Sequence, residues 1–439
     1  MTDTAFTTER PGQKLGLFAA VALVMGNVIG SGAFLLPAQL APFGWNAVIA
    51  WAVTIGGALC LANAIAQLTA RHPGIGGPIG MVRVSFGPFA ASIAGFGSWV
   101  SFLTANATLA VAATSYGGSQ FPWLLAHPAL ASILLVWILT AVALASTRLA
   151  SVVQSVTMLL KLVPLLIALA LIIAIIARPG PAPVPPFVWA DINITAVGAA
   201  AALALWAMVG FEAASLAEDI VDQPVRNIPR ATLFGAGLSG LFYLVVCSGV
   251  MLLIPAAEMA ASNAPFALFI GTYWGPQLAS IIGIFAAIAA MGALNGWILL
   301  HGELPRSLAV RGLFPAFFGR VTARRTPYAA LITGSVITTL LLAANSSKDT
   351  AALFAFMALL STSCSLWIYL ACSIAAIRLR AAMITSAVGV AFAVWALWGA
   401  GITPSALSFA LMMAGAPLYW IARREGPLAP LGREPAAIS

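Results

Sequence analysis

Two short stretches of this sequence place polar atoms and loosened backbone inside apolar surroundings. One is GNVIGSG (26–32), within VMGNVIGSGAFLLP; the other is WAMVGFEAAS (206–215), with Gly210 and Glu212 in mid-run. An unwound turn at membrane depth frees amide donors and carbonyl acceptors, and is tolerated only inside protein or along a wet cavity. Amides of a half-helix beyond Ser31 suit a carboxylate, while carbonyls before the break and at Gly210 suit an ammonium. A free amino acid carries both groups on one carbon, so such a break can receive a zwitterionic head. Read alone, GNVIGSG is equally a packing motif, because Gly26 and Gly30 have G-x-x-x-G spacing.

Two charged residues lie deep in apolar runs, Glu212 and Lys161. A carboxylate at the centre of a membrane helix costs roughly 2.5–3.5 kcal/mol, so Glu212 needs a partner, a proton or a wet cavity. It reads either as a proton-linked group or as a structural carboxyl bonded to neighbouring hydroxyls. Lys161 reads either as a titrating group or as a fixed strut. Catalysis finds no such support. His72, His127 and His301 are scattered at or near the ends of apolar runs and form no ligand pair, and Cys60, Cys247, Cys364 and Cys372 lack any C-x-x-C spacing. The expectation is no metal, no cofactor, no catalytic residues and no enzyme.

The elements that hold these residues are long and apolar. Of 439 residues 62% are hydrophobic and only 7% charged, which excludes an ordinary soluble domain. Twelve apolar runs recur, at about 17–40, 45–69, 88–117, 128–146, 152–177, 194–217, 231–255, 274–304, 327–344, 350–378, 382–399 and 404–422. Each approaches the roughly 20 residues needed to cross a bilayer. No cleavage site follows the polar start TDTAFTTERPGQK, so no removed signal peptide is expected. Seventeen of the 20 Lys and Arg fall on one side of this layout, against Arg178 and Lys348 on the other and Lys161 within a run. The asymmetry predicts cytoplasmic N- and C-termini in a cell (inner) membrane, and it makes the positive charge topological, with no nucleic-acid partner. RPGPAPVPPF (178–187) reads as an external extended linker, and GLFPAFF (312–318) as an amphipathic stretch lying along the membrane surface.

The first and sixth runs are corresponding members if ten runs form two five-helix repeats, and paired interruptions of that kind point to a transporter with a midplane site. The predicted organisation is an N-terminal segment 1–16, a first repeat 17–177, a linker 178–193, a second repeat 194–378, two added helices 379–422 and a tail 423–439.

These residues resemble the amino acid–polyamine–organocation superfamily, and within it the bacterial arginine/agmatine antiporters. The resemblance rests on GNVIGSGAFLLPAQLA (26–41), FGPF (86–89), an ungapped stretch from Asn106 to Pro122, LWAMVGFEAAS (205–215), NIPRAT (227–232), GALNGWILL (292–300) and GLFP (312–315). It implies an all-α polytopic membrane protein of twelve transmembrane helices, a five-plus-five inverted repeat of LeuT type with the first and sixth helices broken, often homodimeric. It implies carboxylate contacts at Ser31 and Gly32, and α-amino contacts at the carbonyls of Val28, Trp206 and Val209. Asn106 and Ser361 match residues at the guanidinium end, Trp206 an aromatic that stacks on the substrate cation, and Trp297 one that separates the site from the cytoplasm. Glu212 matches a glutamate of proton-linked control. Each has a plainer reading: the tryptophans as buried aromatics, Asn106 and Ser361 as interhelical hydrogen-bonding residues.

Departures from the pattern bear on substrate. Lys161 stands where the antiporter subgroup has a small residue; other superfamily members carry a lysine there, near the break and in place of a sodium ion, so no sodium requirement is expected. Ser101 and Phe102 replace smaller side chains, Ser98 replaces a tyrosine, and GGPIGM (76–81) lacks tyrosines of the antiporter's acid-sensing gate. The expected function is a secondary transporter working by alternating access, first a basic amino acid/polyamine exchanger, alternatively a proton-coupled or exchanging transporter of neutral amino acids. Its expected partners are an amino acid or amine, protons, the lipid bilayer and a second copy of the chain.

Overall fold

Sequences dominated by Ala, Leu, Ile and Val can sit in lipid only if every backbone polar group is paired within its own segment, which selects helices. The computed structural model describes residues 14–30, 34–72, 74, 76–145, 157, 160–179, 184–216, 221–323 and 325–426. The first apolar run splits into α1 (Leu17–Val28) and α2 (Leu36–Leu40). There follow α3 (Trp45–Arg71), α4 (Gly77–Gly117), the short α5 (Trp123–Ala126), α6 (Pro128–Ala145) and α7 (Leu162–Ile176). The sixth run splits into α8 (Ile194–Met208) and α9 (Ala213–Leu216). Beyond it come α10 (Pro224–Leu252), α11 (Ala256–Ala260), α12 (Pro265–Trp274), α13 (Pro276–Val310), α14 (Tyr328–Ala343), α15 (Thr350–Arg378), α16 (Met383–Gly399), α17 (Ile402–Met413) and α18 (Ala416–Glu425).

Among the described residues nine helical stretches are long and apolar enough to cross a membrane, counting α8 with α9 and α17 with α18. The shorter apolar helices α1, α7 and α14 accompany them. All of these stretches fall on the apolar runs of the sequence, and the protein is an all-α polytopic membrane protein. At its centre α4 packs along both α13 and α15, while α3 lies between α8 and α10, and α1 rests on α10.

Several boundaries differ from the sequence expectation. α4 begins at Gly77, ahead of the apolar run, and turns at Gly87 (φ 88°) before Pro88. The connection expected between 255 and 274 is itself helical, as α11 and α12. GLFPAFF does not lie along a surface: Leu313, Phe314 and Phe318 are buried. The ring of Phe318 meets Trp99 edge-on at 5.3 Å, and Phe314 meets the same indole at 6.3 Å. A large aromatic recovers more by burial than by floating at an interface, and Trp99 of α4 supplies the surface. The last helix runs past the expected start of the tail, and the Glu425 carboxylate accepts from the Ala316 amide at 2.6 Å. The start of the chain and the tail expected at 1–16 and 423–439 lie outside the described residues up to residue 13 and from 427.

Candidate functional site

The two interruptions face each other. α1 stops at Val28, and Phe34 and Leu35 lie in a 3₁₀ turn before α2. Ser31 and Gly32, the expected carboxylate contacts, lie outside the described residues. α8 stops at Met208, and Gly210 adopts φ 112°, a region that only glycine enters without strain. A β-carbon there would come within 3.4 Å of the Asn27 carbonyl oxygen, so the second break is seated directly on the first.

A side chain that sequence reasoning missed holds the first break in shape. The hydroxyl of Tyr243, from α10, accepts from the Gly30 amide at 2.7 Å. It donates toward the carbonyls of Val28 at 2.9 Å and Gly30 at 3.2 Å. The ring is fully buried and lies against Trp51 at 5.8 Å. The signal was present in LFYLVVC (241–247): a tyrosine in mid-membrane needs a partner for its hydroxyl, and unwound backbone supplies one.

Between the breaks lies a cavity of about 40 Å³, lined by Asn27, Val28, Gly30, Trp206, Val209, Tyr243, Trp297 and Ser361 among others. Among the described residues no charged side chain lines it, so a cation there would meet aromatic faces and backbone carbonyls. Trp206 stands edge-on to Phe354 at 5.4 Å, and Trp297 edge-on to Phe102 at 5.0 Å. Of the expected α-amino contacts, the Val28 carbonyl is bonded to Tyr243 and the Trp206 carbonyl accepts from the Val209 amide at 3.3 Å. Each keeps a second lone pair for a ligand.

The remaining expected residues divide into those at the wall and those behind it. Ser361 reaches the cavity, and its hydroxyl donates to the Ser101 carbonyl at 3.0 Å. Ser101 Oγ in turn meets the Ser361 carbonyl at 3.1 Å and Ser365 Oγ at 2.7 Å, which locks α4 to α15. Asn106 does not line the cavity. It is fully buried, and its Nδ2 lies 2.7 Å from His301 Nδ1. His301 itself lies inside α13, fully buried, not at a helix end as its place in the sequence had indicated.

Glu212, half-buried after the second break, accepts from the Tyr369 hydroxyl at 3.1 Å, and Tyr369 stacks on Phe211 at 4.8 Å. Lys161 donates to the Gly26 carbonyl at 2.6 Å, one turn before the first break. Beside it a second cavity of about 290 Å³ shares Asn27, Gly30, Ala293 and Trp297 with the first. Among the described residues no group of three His, Cys, Asp or Glu side chains is placed to hold a metal ion.

The amino acid permease family model matches residues 15–424. The chain is 32% identical over 340 residues to the cadaverine/lysine antiporter of Escherichia coli strain K12, covering 75% of this chain and 74% of that protein. It is similar to the putrescine transporter PotE of Haemophilus influenzae, at 29% identity over 75% of this chain and 76% of that one, and to the Escherichia coli strain K12 PotE at 30% over 75% of each. With nearly its whole described length matched, and two broken helices meeting at an uncharged cavity, the chain belongs to the amino acid permease family, whose members are transporters and not enzymes.

Proposed function

We propose that this protein exchanges a cationic amino acid for a related amine by alternating access, as a basic amino acid/polyamine antiporter of LeuT-like architecture with cytoplasmic termini. The observation that carries the reading is the seating of Gly210 on Asn27, which brings two broken helices around one cavity. Backbone groups of the breaks would take the carboxylate and α-amino ends, and the face of Trp206 the distal cation. Similarity to a cadaverine/lysine antiporter and to putrescine transporters supports lysine with cadaverine as one pair and putrescine as a further amine, and these stand beside the arginine/agmatine pair that the sequence motifs suggest. A second reading, exchange of neutral amino acids, is favoured by Phe102, whose contact with Trp297 narrows the distal wall. In either reading Lys161 and Glu212 are the proton-linked groups, and the Lys161 ammonium stands in for a sodium ion at the Gly26 carbonyl.

Counterflow in proteoliposomes loaded with lysine, cadaverine, ornithine, putrescine, arginine, agmatine or leucine tests this. Accumulation driven by at least one cationic pair is expected. Strong leucine exchange with no cationic substrate would overturn the first reading in favour of the second.

A further inference from the structure

The Asn106 and His301 side chains form a buried pair that the reading above does not use. His301 Nε2 lies 3.1 Å from the Leu331 carbonyl of α14, and a carbonyl can only accept, so Nε2 carries the ring hydrogen. In a neutral imidazole Nδ1 is then the acceptor, and it takes the Asn106 amide N–H at 2.7 Å. The orientation of the amide is thereby fixed: Nδ2 is committed to His301, and Oδ1 is buried without a hydrogen-bond partner.

An orphaned amide oxygen in a dry interior is costly, of the order of 1–3 kcal/mol, and calls for a donor. Asn106 lies one position round α4 from Ala105, and Ala105 and Leu109 both line the cavity between the breaks. The donor in shortest supply inside the protein is the one that a cationic substrate brings. His301 is itself closely held. Its backbone carbonyl accepts from Trp99 Nε1 at 2.9 Å, and a β-carbon at Gly334 would lie 2.6 Å from its Cδ2.

We propose that His301 is a positioning and specificity-determining residue, which holds Asn106 so that its Oδ1 is reserved for the N–H donors of a cationic substrate's distal end. Without His301 the amide can turn over and present N–H instead, which a neutral or acceptor-bearing end tolerates equally well. The inference rests on the exchange reading above and names the atom that distinguishes cationic from neutral substrates.

The test is the ratio of apparent affinities for lysine and leucine, from competition of each against the best exchanged substrate in proteoliposomes. His301→Leu should lower the lysine-over-leucine ratio about tenfold, the lower end of what a hydrogen bond to a charged group contributes. Asn106→Ala should lower it by a similar factor, and the double variant no further. His301→Gln offers an acceptor to Asn106 and a donor to Leu331, and should restore the ratio. Gly334→Ala, which presses the ring from behind and adds no polar group, should lower it too, and it serves where His301→Leu does not fold. A purely structural role for His301 would reduce the yield of folded protein or the rate for all substrates alike. An unchanged ratio in both His301→Leu and Gly334→Ala, or losses that add fully in the double variant, would overturn the inference alone. A wild-type protein that exchanges no cationic substrate would overturn the exchange reading, and this inference with it.

Discussion

Tyr243→Phe is the sharpest probe of the first break, because it removes one oxygen and leaves the ring on Trp51. The hydroxyl oxygen accepts from the Gly30 amide at 2.7 Å, and its single hydrogen serves either the Val28 carbonyl at 2.9 Å or the Gly30 carbonyl at 3.2 Å. Two hydrogen bonds are therefore lost at any moment, one accepted and one donated. At about 0.5–1.5 kcal/mol net for each, the loss is about 1–3 kcal/mol. Gly30 and Tyr243 both line the cavity, so water can replace part of this and the lower half of the range applies. That corresponds to a roughly tenfold effect on any equilibrium that depends on the shape of residues 28–30.

The dependence differs between substrates. On the proposed reading an amino acid uses the break for its carboxylate and its α-amino group, whereas a diamine has no carboxylate to place. Tyr243→Phe should therefore weaken lysine about tenfold and cadaverine by clearly less, as read by competition binding to purified protein in detergent. Equal weakening of both would mean that the hydroxyl supports only the fold. No weakening of either would mean that the break keeps its shape without it, and the argument from Tyr243 would be wrong.

Other perturbations separate the remaining roles. Trp206→Leu removes a cation–π surface worth about 2 kcal/mol when desolvated, so binding of a cationic substrate should weaken about 30-fold in the same binding assay, with leucine little affected. Glu212→Gln keeps an acceptor for the Tyr369 hydroxyl, so folding and binding should persist while the pH dependence of exchange flattens; an unchanged pH profile would remove Glu212 from proton control. Lys161→Ala deletes the donor to the Gly26 carbonyl, and pH-driven uptake should be lost while exchange at equal pH is retained; loss of both would mark the lysine as a strut.

Much of this architecture could be read from residues because membrane physics restricts the options. Apolar runs of spanning length admit only helices, and the glycine cluster of the first run and Gly210 with Glu212 in the sixth point to breaks from their residue types alone. The helix ends at Val28 and Met208 fall where those clusters predicted. Lys161 was expected near the first break and donates to the Gly26 carbonyl, in α1 just before it. The partners of the site were harder to see. Tyr243, Tyr369 and His301 each reach a functional segment from a helix far away in sequence, so no local spacing announces the contact. Asn106 shows a different gap: its place in a motif pointed to the substrate's distal end, but nothing in that motif announced His301, which meets its amide nitrogen. GLFPAFF failed for a similar reason, since an isolated amphipathic pattern cannot reveal that Trp99 of another helix covers it.

The contacts around the cavity also indicate how it has to open. At about 40 Å³ it holds a few waters and not an amino acid, so one wall must move before a substrate enters. On the side of the Pro-rich linker the closure is built from backbone. The Tyr116 hydroxyl donates to the Phe34 carbonyl at 2.8 Å and accepts from the Phe266 amide at 3.3 Å, while the Phe34 ring packs edge-on against both Tyr116 and Phe266. Asn46 adds a second tie there, donating to the Asp191 carbonyl at 3.1 Å and accepting from the Asn193 amide at 2.8 Å. Toward the basic loops the Tyr369 hydroxyl donates to Glu212 and the Phe102 and Trp297 rings meet, while the Asp222 amide donates to the Leu15 carbonyl at 2.9 Å and Arg311 to the Gly76 carbonyl at 3.4 Å. The second cavity of about 290 Å³, beside Lys161, already adjoins the Trp297 wall. Protonating Glu212 would turn the acceptor of the Tyr369 hydrogen bond from a carboxylate into a carboxylic acid and weaken that tie, so on the proposed reading its protonation state is expected to bias opening toward the basic loops.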